Sequence, residues 1–408
     1  METRLGNIPT YVIFMILVMG AFGIMGGGLV APALTSIGRA FEIPEEQQGL
    51  VLSVYTLAAA LSLPFIGYLI DLIGRRKVGI ACLLLDGIVG ISIVFAPTFN
   101  VLLLLRFFQG IGIAGLIPVA MTIVGDLFTG DRRLKFMGYL TGVISLGAVI
   151  IPTLGGVLAS IDWRLVFVVY GFGPILALFF VLKLPETSPY HSRLNKDLLG
   201  STGEKIKPGT TFEYLRSLLL VLKDRKIRNI MFQALVNYFF LYALVTFLPI
   251  FLVSTHEFDE LFSGLALSLQ GFSSALIASK ANVLALHLNW WNRIAFGFIM
   301  KGISFLLLPL WPQGSFLIGI SIVIYGLGFG MVSPTIYNRA TKLPPQKLIG
   351  SVVAIFNTMK YIGMTLSPFI LGALMNFTGM NVVFFALIAS ALVVWGIFAL
   401  YPGENKKK

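Results

Sequence analysis

The chain has 408 residues, of which 57% are hydrophobic and 12% are charged. A soluble protein carries about twice that share of charged residues, so the composition excludes a soluble protein and predicts an integral membrane protein. The apolar runs are continuous rather than alternating, which predicts helices and excludes a membrane barrel. The net charge of +12 does not indicate a nucleic-acid partner, because the cations gather in a few connections between apolar runs.

Twelve apolar segments follow one another, each long enough to cross about 30 Å of hydrocarbon as a helix. Their predicted bounds are 9–33, 46–70, 77–96, 100–127, 134–158, 164–183, 229–254, 261–286, 293–311, 315–338, 347–375 and 380–401. We therefore expect an all-α polytopic membrane protein with an N-terminal six-helix bundle at 1–183, a cytoplasmic linker at 184–228, and a C-terminal six-helix bundle with a short basic tail at 229–408.

Loop charge predicts how the chain is oriented. Cations are concentrated in alternate connections, namely 75–77, 132–135, the central stretch 183–228 and the C-terminal tail, whereas the loops between them are acidic. Lys and Arg are enriched in cytoplasmic loops. We therefore expect a multi-pass protein of the plasma (inner) membrane with both termini in the cytoplasm.

The central stretch has two interpretations. Apolar residues recur there at a helical period, at Phe212, Leu215, Leu218, Leu219 and Leu222. With the cations that follow, they predict an amphipathic helix lying on anionic lipid headgroups. An ordinary solvated linker is the alternative.

An internal repeat relates the two sets of six segments. With a shift of 216 residues, four of the ten glycines and both prolines between 106 and 158 meet their own kind, where composition alone predicts about one glycine. The matched pairs are Gly110 and Gly326, Gly112 and Gly328, Pro118 and Pro334, Gly147 and Gly363, Pro152 and Pro368, and Gly156 and Gly372. Such a repeat predicts two parallel six-helix halves with a substrate cavity between them near the midplane.

The connection between spans 2 and 3 carries an acid followed by three cations, in the stretch GYLIDLIGRRK at 67–77. Asp71 and Arg75 are predicted at the membrane edge, where Asp126 ends span 4 on the same side. Two carboxylates and a guanidinium in a partly dry layer can form a charge network that is made in one conformation and broken in another. Setting the topology alone is the alternative role for these charges.

Several stretches together resemble the major facilitator superfamily, and most closely its twelve-span drug/proton antiporter branch. The loop 2–3 signature is matched by Gly67, Asp71, Gly74, Arg75 and Arg76. The stretch 102–115 (LLLLRFFQGIGIAG) is similar to the span-4 pattern with its embedded Arg and Gln-Gly. The span-5 antiporter pattern is matched by Gly138, Gly147, Pro152, Gly155 and Gly156, with Ile151 where the pattern has Gly. The second half lacks the loop signature.

The resemblance implies roles for these residues. The loop 2–3 charges, with Asp126, would latch the cytoplasmic gate while the cavity faces outward. Arg106, with Gln109 and Gly110, would take part in proton coupling. Glycines and a proline in span 5 let helices approach closely and bend, as movement between two halves requires; plain helix packing is their alternative role.

Two ionisable residues inside the predicted spans are further coupling candidates. Arg106 lies about 10 Å into span 4 and must face the bundle interior; a tie to backbone carbonyls is its structural alternative. Asp86 is the only acid well inside a predicted span and could carry a proton. Structural pairing, for example with a lysine, is the alternative for Asp86.

Polar residues in the second half are candidates for contact with the substrate. They are Asn237, Gln270, Tyr325, Asn357 and Lys360. Lys360 lies about 20 Å from the inner face, too deep for its ammonium to reach water easily. Lys280 and Lys301 are nearer that face and are expected to extend toward it. Hydrogen bonding between helices is the alternative role for the uncharged candidates.

These features predict a secondary active transporter that works by alternating access and exports small apolar or amphipathic solutes, as multidrug transporters do, in exchange for protons. The alternatives are a facilitator, symporter or exporter of a small anionic or neutral metabolite, and a membrane sensor that transports nothing. The three histidines are scattered and there is no nucleotide-binding loop. We therefore expect no enzyme activity, metal or cofactor, and a monomer whose partners are a small-molecule substrate and membrane lipid.

Overall fold

The structure is a computed structural model that describes residues 9–184, 186–187, 222–310, 315–344 and 349–399. Eleven helices in these ranges are long and apolar enough to cross a membrane, and a bent pair of helices makes a twelfth span. We number the spans α1 to α12. Their bounds are Thr10–Phe22 with Met25–Ala40, Glu45–Ile73, Arg75–Phe95, Phe99–Leu127, Gly130–Ile161, Trp163–Lys183, Arg225–His256, Glu260–Ser279, Trp290–Leu310, Ser315–Lys342, Ile349–Thr378 and Met380–Ala399.

The twelve predicted spans are confirmed, with differences at their ends. α1 is bent by 44° between Phe22 and Met25, in a stretch with five glycines between 20 and 28, a residue that weakens helices. α7 begins at Arg225, inside the stretch predicted as linker, because the Asp224 carboxylate caps it by accepting a hydrogen bond from the Lys226 N–H at 2.7 Å. The predicted amphipathic helix at 212–222 lies almost entirely outside the described residues.

The two halves, α1–α6 and α7–α12, pack their helices in the same pattern. In the first half α4 lies against α2 and α3, and α3 against α6. In the second half α10 lies against α8 and α9, and α9 against α12. Each pair is related to its counterpart by a step of six helices, so the repeat in the sequence is also a repeat in the packing.

The repeated glycines lie where backbones cross. A Cβ atom at Gly110 would collide with the Tyr55 carbonyl of α2, and one at Gly326 with the Gln270 carbonyl of α8. Gly112 and Gly328 stand in the same way against the backbones of α3 and α9. These positions admit no larger residue without separating the helices.

The halves meet along two seams, α5 with α8 and α2 with α11. We call the end of the molecule where α2 and α8 begin the Glu260 end, and the opposite end, where α3 begins, the Arg75 end. On the first seam, a Cβ at Gly156 would meet the Glu260 carbonyl and Gly264. On the second, a Cβ at Gly372 would meet the Glu46 carbonyl. Both close contacts lie at the Glu260 end.

Polar contacts between the halves have the same distribution. Among the described residues, hydrogen bonds between the halves join Ser36 and Arg39 of α1 to Glu260, Ser53 and Thr56 to Thr365, and Thr153 to Ser268. All of these pairs lie in the Glu260 half of their helices. Toward the Arg75 end, a Cβ added at Gly138 or Gly142 of α5 would meet no atom within 4 Å. Among the described residues, the polar contacts between the halves and the close approaches at Gly156 and Gly372 are therefore concentrated toward the Glu260 end.

Candidate functional site

Arg75 is the centre of a charge cluster at the Arg75 end. Its Nε lies 2.9 Å from Asp126 Oδ2, its Nη2 3.2 Å from Asp71 Oδ1, and its Nη1 donates to the Ile70 carbonyl at 3.0 Å. Gly74 makes the turn between α2 and α3 with a φ of 105°, a conformation that glycine adopts without strain. The fold thus brings together the three charged residues that the loop sequence singled out.

Two further residues of this cluster were not found from the sequence. The Glu186 carboxylate accepts hydrogen bonds from the backbone N–H groups of Arg75 and Arg76, at 2.9 and 3.2 Å, and so caps the start of α3. The Thr187 hydroxyl donates to Asp126 at 3.1 Å. Both residues lie shortly after the end of α6. No spacing in the sequence relates them to Arg75 and Arg76, which precede Glu186 by 111 and 110 residues.

Two other residues of the loop signature, Gly67 and Arg76, lie on α2 and α3. The Arg76 guanidinium donates to the Val181 carbonyl of α6. Gly67 is half-buried on α2, one turn before Asp71. The ion pairs and hydrogen bonds of Asp71, Arg75 and Arg76 described above join residues of the first half.

The ion pairs of the predicted latch are formed in this conformation. The resemblance implied that these charges are engaged while the cavity faces outward, away from the cytoplasm. In the structure Asp71 and Asp126 are paired with Arg75 in a molecule whose described contacts between the halves are concentrated toward the opposite, Glu260 end. Since all three residues belong to the first half, the halves can part at the Arg75 end without breaking these pairs.

Arg106 is fully buried and bound to the backbone. Its guanidinium donates to the carbonyls of Val51 at 3.2 Å and Gly26 at 2.8 Å, and to the Gln109 side chain at 2.8 Å. It also lies over the Tyr55 ring, 4.2 Å from the centroid. Arg106 therefore joins α4 to α1 and α2. A tie to backbone carbonyls was the alternative role predicted for it.

Asp86 lies beside this arginine, on α3. Its carboxyl group is fully buried, and neither oxygen makes a hydrogen bond of ordinary length and angle among the described residues. Among the described residues, Arg106 and Gln109 interact with its carboxyl group, and no lysine is found beside it. The four coupling candidates, Arg106, Gln109, Gly110 and Asp86, are thus close together in the core of the first half.

The tyrosines around Asp86 and Arg106 belong to the same polar centre and were missed in the sequence. Tyr55 of α2 and Tyr170 of α6 are fully buried or nearly so, and neither hydroxyl group makes a hydrogen bond of ordinary length and angle among the described residues. The chain has 13 tyrosines, many of them in apolar spans, so the sequence offered no signal that separates these two from the others.

Two of the predicted cavity residues, Asn237 and Tyr325, do not line a cavity. The Tyr325 side chain is fully buried against Phe305. Asn237 is fully buried and accepts a hydrogen bond from the Lys301 ammonium at 2.5 Å. Lys301 does not extend to the membrane surface as expected, because its Nζ is enclosed by Asn237 and by the Phe298 ring, 4.2 Å from the centroid.

The remaining cavity candidates are placed differently. Gln270 is buried where α8 crosses α10 at Gly326. Asn357 and Lys360 of α11 are half-buried. The Lys360 ammonium donates to Asn357 Oδ1 at 3.4 Å and lies 4.6 Å from the centroid of the Tyr238 ring on α7. Asn357 and Lys360 are therefore the candidates that remain partly open.

The glycines of the α5 motif lie in three different environments. A Cβ at Gly147 or Gly155 would meet α1, at Ile24 or the Leu29 carbonyl. Gly156 and Pro152 face Gly264 of α8 across the first seam. Gly138 stands in open space, so it makes no close helix contact in this conformation. The motif is therefore not a single interface. Its glycines contact α1, α8 or neither, depending on their position along the helix.

Comparison with known proteins identifies the family. A family model described as Major Facilitator Superfamily matches residues 16–368. The bacillibactin exporter of Bacillus subtilis (strain 168) is 27% identical over 394 residues, which cover 94% of this chain and 94% of that protein. Multidrug transporter protein MdtP of the same organism is 26% identical over 365 residues, covering 79% of this chain and 68% of that protein.

A solved structure agrees at the level of the fold. It is a bacterial homologue of the human lysosomal transporter Spinster in an inward-facing and unoccupied conformation, with a TM-score of 0.77, 17% identity, and coverage of 96% of this chain and 97% of that one. Within the described ranges, no three His, Cys, Asp or Glu side chains gather as metal ligands. Family and relatives are transporters of small molecules rather than enzymes. The chain belongs to the Major Facilitator Superfamily and is a multi-pass membrane transporter.

Proposed function

We propose that this transporter exports small apolar or amphipathic solutes across the plasma membrane in exchange for protons, by alternating access. One observation carries the coupling to protons: the Asp86 carboxyl group is fully buried beside Gln109 and Arg106 and has no ion pair among the described residues. An ionised carboxylate is costly in such surroundings. Asp86 is therefore suited to hold a proton while it is enclosed and to release it when water enters.

The contacts of Arg106 suggest how protonation of Asp86 would affect the contacts between the two halves. Arg106 holds the carbonyls of Gly26 on α1 and Val51 on α2. The same two helices carry Ser36 and Ser53, which bond to the second half at Glu260 and Thr365. A change of charge at Asp86 alters how strongly Arg106 is drawn toward α3, and so biases the helices that close the Glu260 end.

Alternating access is supported by the uneven closure of the molecule. Small residues and a few polar pairs close the Glu260 end, while α5 has open space at Gly138. A rocking of one half against the other would break the seam contacts and bring the Arg75 ends together. The charge cluster around Arg75 would then lie at the closing face, where it forms the proposed cytoplasmic gate.

The direction of transport follows from the orientation that loop charge favours. With Lys and Arg loops in the cytoplasm, the Arg75 end and both termini are cytoplasmic and the Glu260 end faces outward. The space between the halves would then open to the cytoplasm, where an exported solute is bound. The relatives named as an exporter and a multidrug transporter support export. We propose that one monomer, surrounded by lipid, is the working unit.

The coupling is tested by transport in proteoliposomes with an imposed pH gradient, using the neutral dye N-phenyl-1-naphthylamine and the anionic dye 8-anilinonaphthalene-1-sulfonate as probe solutes. We expect the wild type to move dye together with an opposite flux of protons. Asp86→Asn cannot release a proton and is expected to lose at least about tenfold of the proton-driven rate, as for removal of a general acid or base. Asp131→Asn, an exposed acid of α5, is the matched control and should behave as the wild type.

Two results would contradict the proposal. One is dye movement by the wild type with no proton flux, which would indicate a facilitator. The other is an undiminished proton flux in Asp86→Asn.

A second function, transport of an anionic or neutral metabolite, is favoured by one observation. The partly open polar side chains of α11 are an amide, Asn357, and a cation, Lys360. A cation at that position suits an anionic solute better than a cationic drug.

A further inference from the structure

The second half is almost free of acids. Between Asp224 and Glu404 the sequence has only Glu257, Asp259 and Glu260, and α8 starts with the last of them. Lys360 is eleven residues past the start of α11, or about 16 Å by helix rise. A lysine at such depth is expensive unless it is paired or hydrated. No carboxylate of the second half lies on the spans that surround it.

Asp71, Asp126 and Asp86 of the first half are engaged elsewhere. Asp71 and Asp126 are paired with Arg75 at the Arg75 end. Asp86 is enclosed within its own half, beside Gln109 and Arg106. Among the described residues Lys360 has no ion pair, and its one hydrogen bond, to Asn357, is long at 3.4 Å.

Lys301 and Lys360 of the second half differ in how far the protein encloses their ammonium groups. Lys301 is fully enclosed, with a 2.5 Å hydrogen bond to Asn237 and three phenylalanine rings around its Nζ. Lys360 is half-open, has an ammonium group with three donors, and uses only one of them on Asn357. Both lysines have unused donors, but those of Lys301 are enclosed by protein, whereas those of Lys360 are open to a bound molecule.

Aromatic rings flank the Lys360 ammonium. It lies over the Tyr238 ring, which meets the Phe329 ring of α10 edge to face at 5.6 Å between centroids. Behind Phe329, Lys301 Nζ is 5.5 Å from that ring's centroid. Both rings are half-buried. Tyr238 also lies near Tyr361, whose ring packs against the core of the first half, so the group faces the space between the halves.

We propose that Lys360, Asn357, Tyr238 and Phe329 form the binding site for the substrate, and that the substrate is an aromatic anion. This Lys360 site rests on the proposed export of amphipathic solutes and narrows it to one class. The ammonium donates charge-assisted hydrogen bonds to a carboxylate or phenolate, and the two rings pack against the aromatic body. The Lys360 charge repels an organic cation of the same shape.

The test uses three naphthalene probes that share a shape and differ in charge: 1-naphthoate, 1-naphthamide and 1-naphthylmethylammonium. Binding to the purified full chain is measured by calorimetry and by thermal stabilisation. We expect 1-naphthoate to bind about tenfold more tightly than the amide, which corresponds to one charge-assisted hydrogen bond. The ammonium probe should bind more weakly than either.

Variants locate the effect at one side chain. Lys360→Gln should remove the preference for 1-naphthoate over 1-naphthamide, whereas Lys360→Arg should retain it. Lys280→Gln removes an exposed lysine of the same half and should change nothing. Retained amide binding in Lys360→Gln shows that this variant is folded.

A preference for 1-naphthoate that survives in Lys360→Gln would overturn the proposal, as would ammonium binding as tight as that of the anion. Proton-driven dye export in proteoliposomes separates this failure from a failure of the proposed function. If export persists and the anion preference is absent, the substrate class is wrong and the transporter mechanism stands. If the preference holds and no proton flux accompanies export, the site stands and the coupling is wrong.

Discussion

Arg75 and Arg106 are both buried arginines of the first half, yet their partners give them different tasks. Arg75 binds two carboxylates and a carbonyl at the end of the bundle. Arg106 binds two carbonyls and an amide in its centre. Charge pairs at an edge can be exchanged when helices move, whereas backbone ties fix helix positions. Arg106 therefore positions α1 and α2, and a gating role for Arg75 is our proposal.

The two carboxylates on Arg75 are expected to be unequal. The Asp126 side chain is 18% exposed and that of Asp71 is 67% exposed. An exposed ion pair stabilises by at most about 1 kcal/mol, while a shielded charge-assisted hydrogen bond is worth about 1.5–3 kcal/mol. Asp126→Asn should therefore lower the thermal unfolding temperature more than Asp71→Asn, and both should slow transport. Thermal unfolding in detergent and proteoliposome flux measure the two effects.

Arg132→Gln, which alters an exposed cation of the next loop, controls for a general loss of basic charge. Equal effects of the two aspartate variants on stability would show that exposure does not rank these pairs. Unchanged transport in both variants would remove the gate.

The sequence could predict the depth of a polar residue in the membrane but not its direction. Asn237, Tyr325 and Lys301 were placed in the right helices, and all three point into the packed core of the second half. In a soluble helix an apolar stripe shows which side is buried. In this protein both the lipid-facing and the core-facing sides are apolar, so that signal is missing. Arg106 and Asp86 could be assigned to the interior because charge is costly against lipid.

At the scale of the helix, α5 shows how one motif serves contacts within a half and between halves. Gly147 and Gly155 let α1 approach, and Gly156 lets α8 approach. The first two contacts lie within the first half and should persist through transport. The third crosses the seam and should be made and broken in each cycle.

Gly156→Val is expected to open the seam. The added Cβ would meet the Glu260 carbonyl and the Gly264 backbone, which no side-chain rotation relieves. Overpacking of this kind costs about 1–3 kcal/mol, a factor of about 5 to 150 in the closed population. With Cys82→Ala removing the single native cysteine, a Ser268→Cys reporter on the seam should react correspondingly faster with a polar maleimide.

Gly138→Val makes the same change in the open part of α5 and should leave the labelling rate at its original value. A rate in Gly156→Val no faster than this control would show that the seam does not depend on the small residue.

Element boundaries followed from the sequence where apolar length decided them. All twelve spans could be predicted because hydrocarbon thickness sets a minimum length. The break in α1 and the early start of α7 could not, since they depend on local contacts. A Cβ at Gly26 would collide with Tyr55, a residue whose approach is a matter of tertiary packing. The sequence could not single out Asp224 as the helix cap, because polar stretches contain many other acids.

At the scale of the whole molecule, the two seams are counterparts under the repeat. Gly156 faces the start of α8 at Glu260, and Gly372, its partner in the repeat, faces the start of α2 at Glu46. The Glu260 end is therefore closed by two equivalent joints, on either side of the central space. The charged contact is not repeated in this way among the described residues: Arg39 and Ser36 bind Glu260 on one side only.

Locking one joint should stop transport. The Thr153 and Ser268 hydroxyl oxygens lie 2.7 Å apart across the first seam, close enough for a disulfide between the corresponding cysteines with small adjustments. In the Cys82→Ala background, oxidation of Thr153→Cys with Ser268→Cys should abolish transport, and reduction should restore it. Proteoliposome flux before and after dithiothreitol measures both states.

Each single-cysteine variant, treated in the same way, should retain its rate. Full transport by the cross-linked pair would mean that the halves do not separate at the Glu260 end, and alternating access through that end would be excluded.

Asp86 lies in the first half and the Lys360 site in the second, so the proton and the solute would not share a binding residue. Exchange of an entering proton for a departing monoanion moves the equivalent of two positive charges inward. Each is worth about 2.3 kcal/mol per 100 mV of membrane potential, which together amount to about a thousandfold in the solute gradient. Because the exchange moves net charge, membrane voltage, as well as the pH difference, would power accumulation of the solute outside.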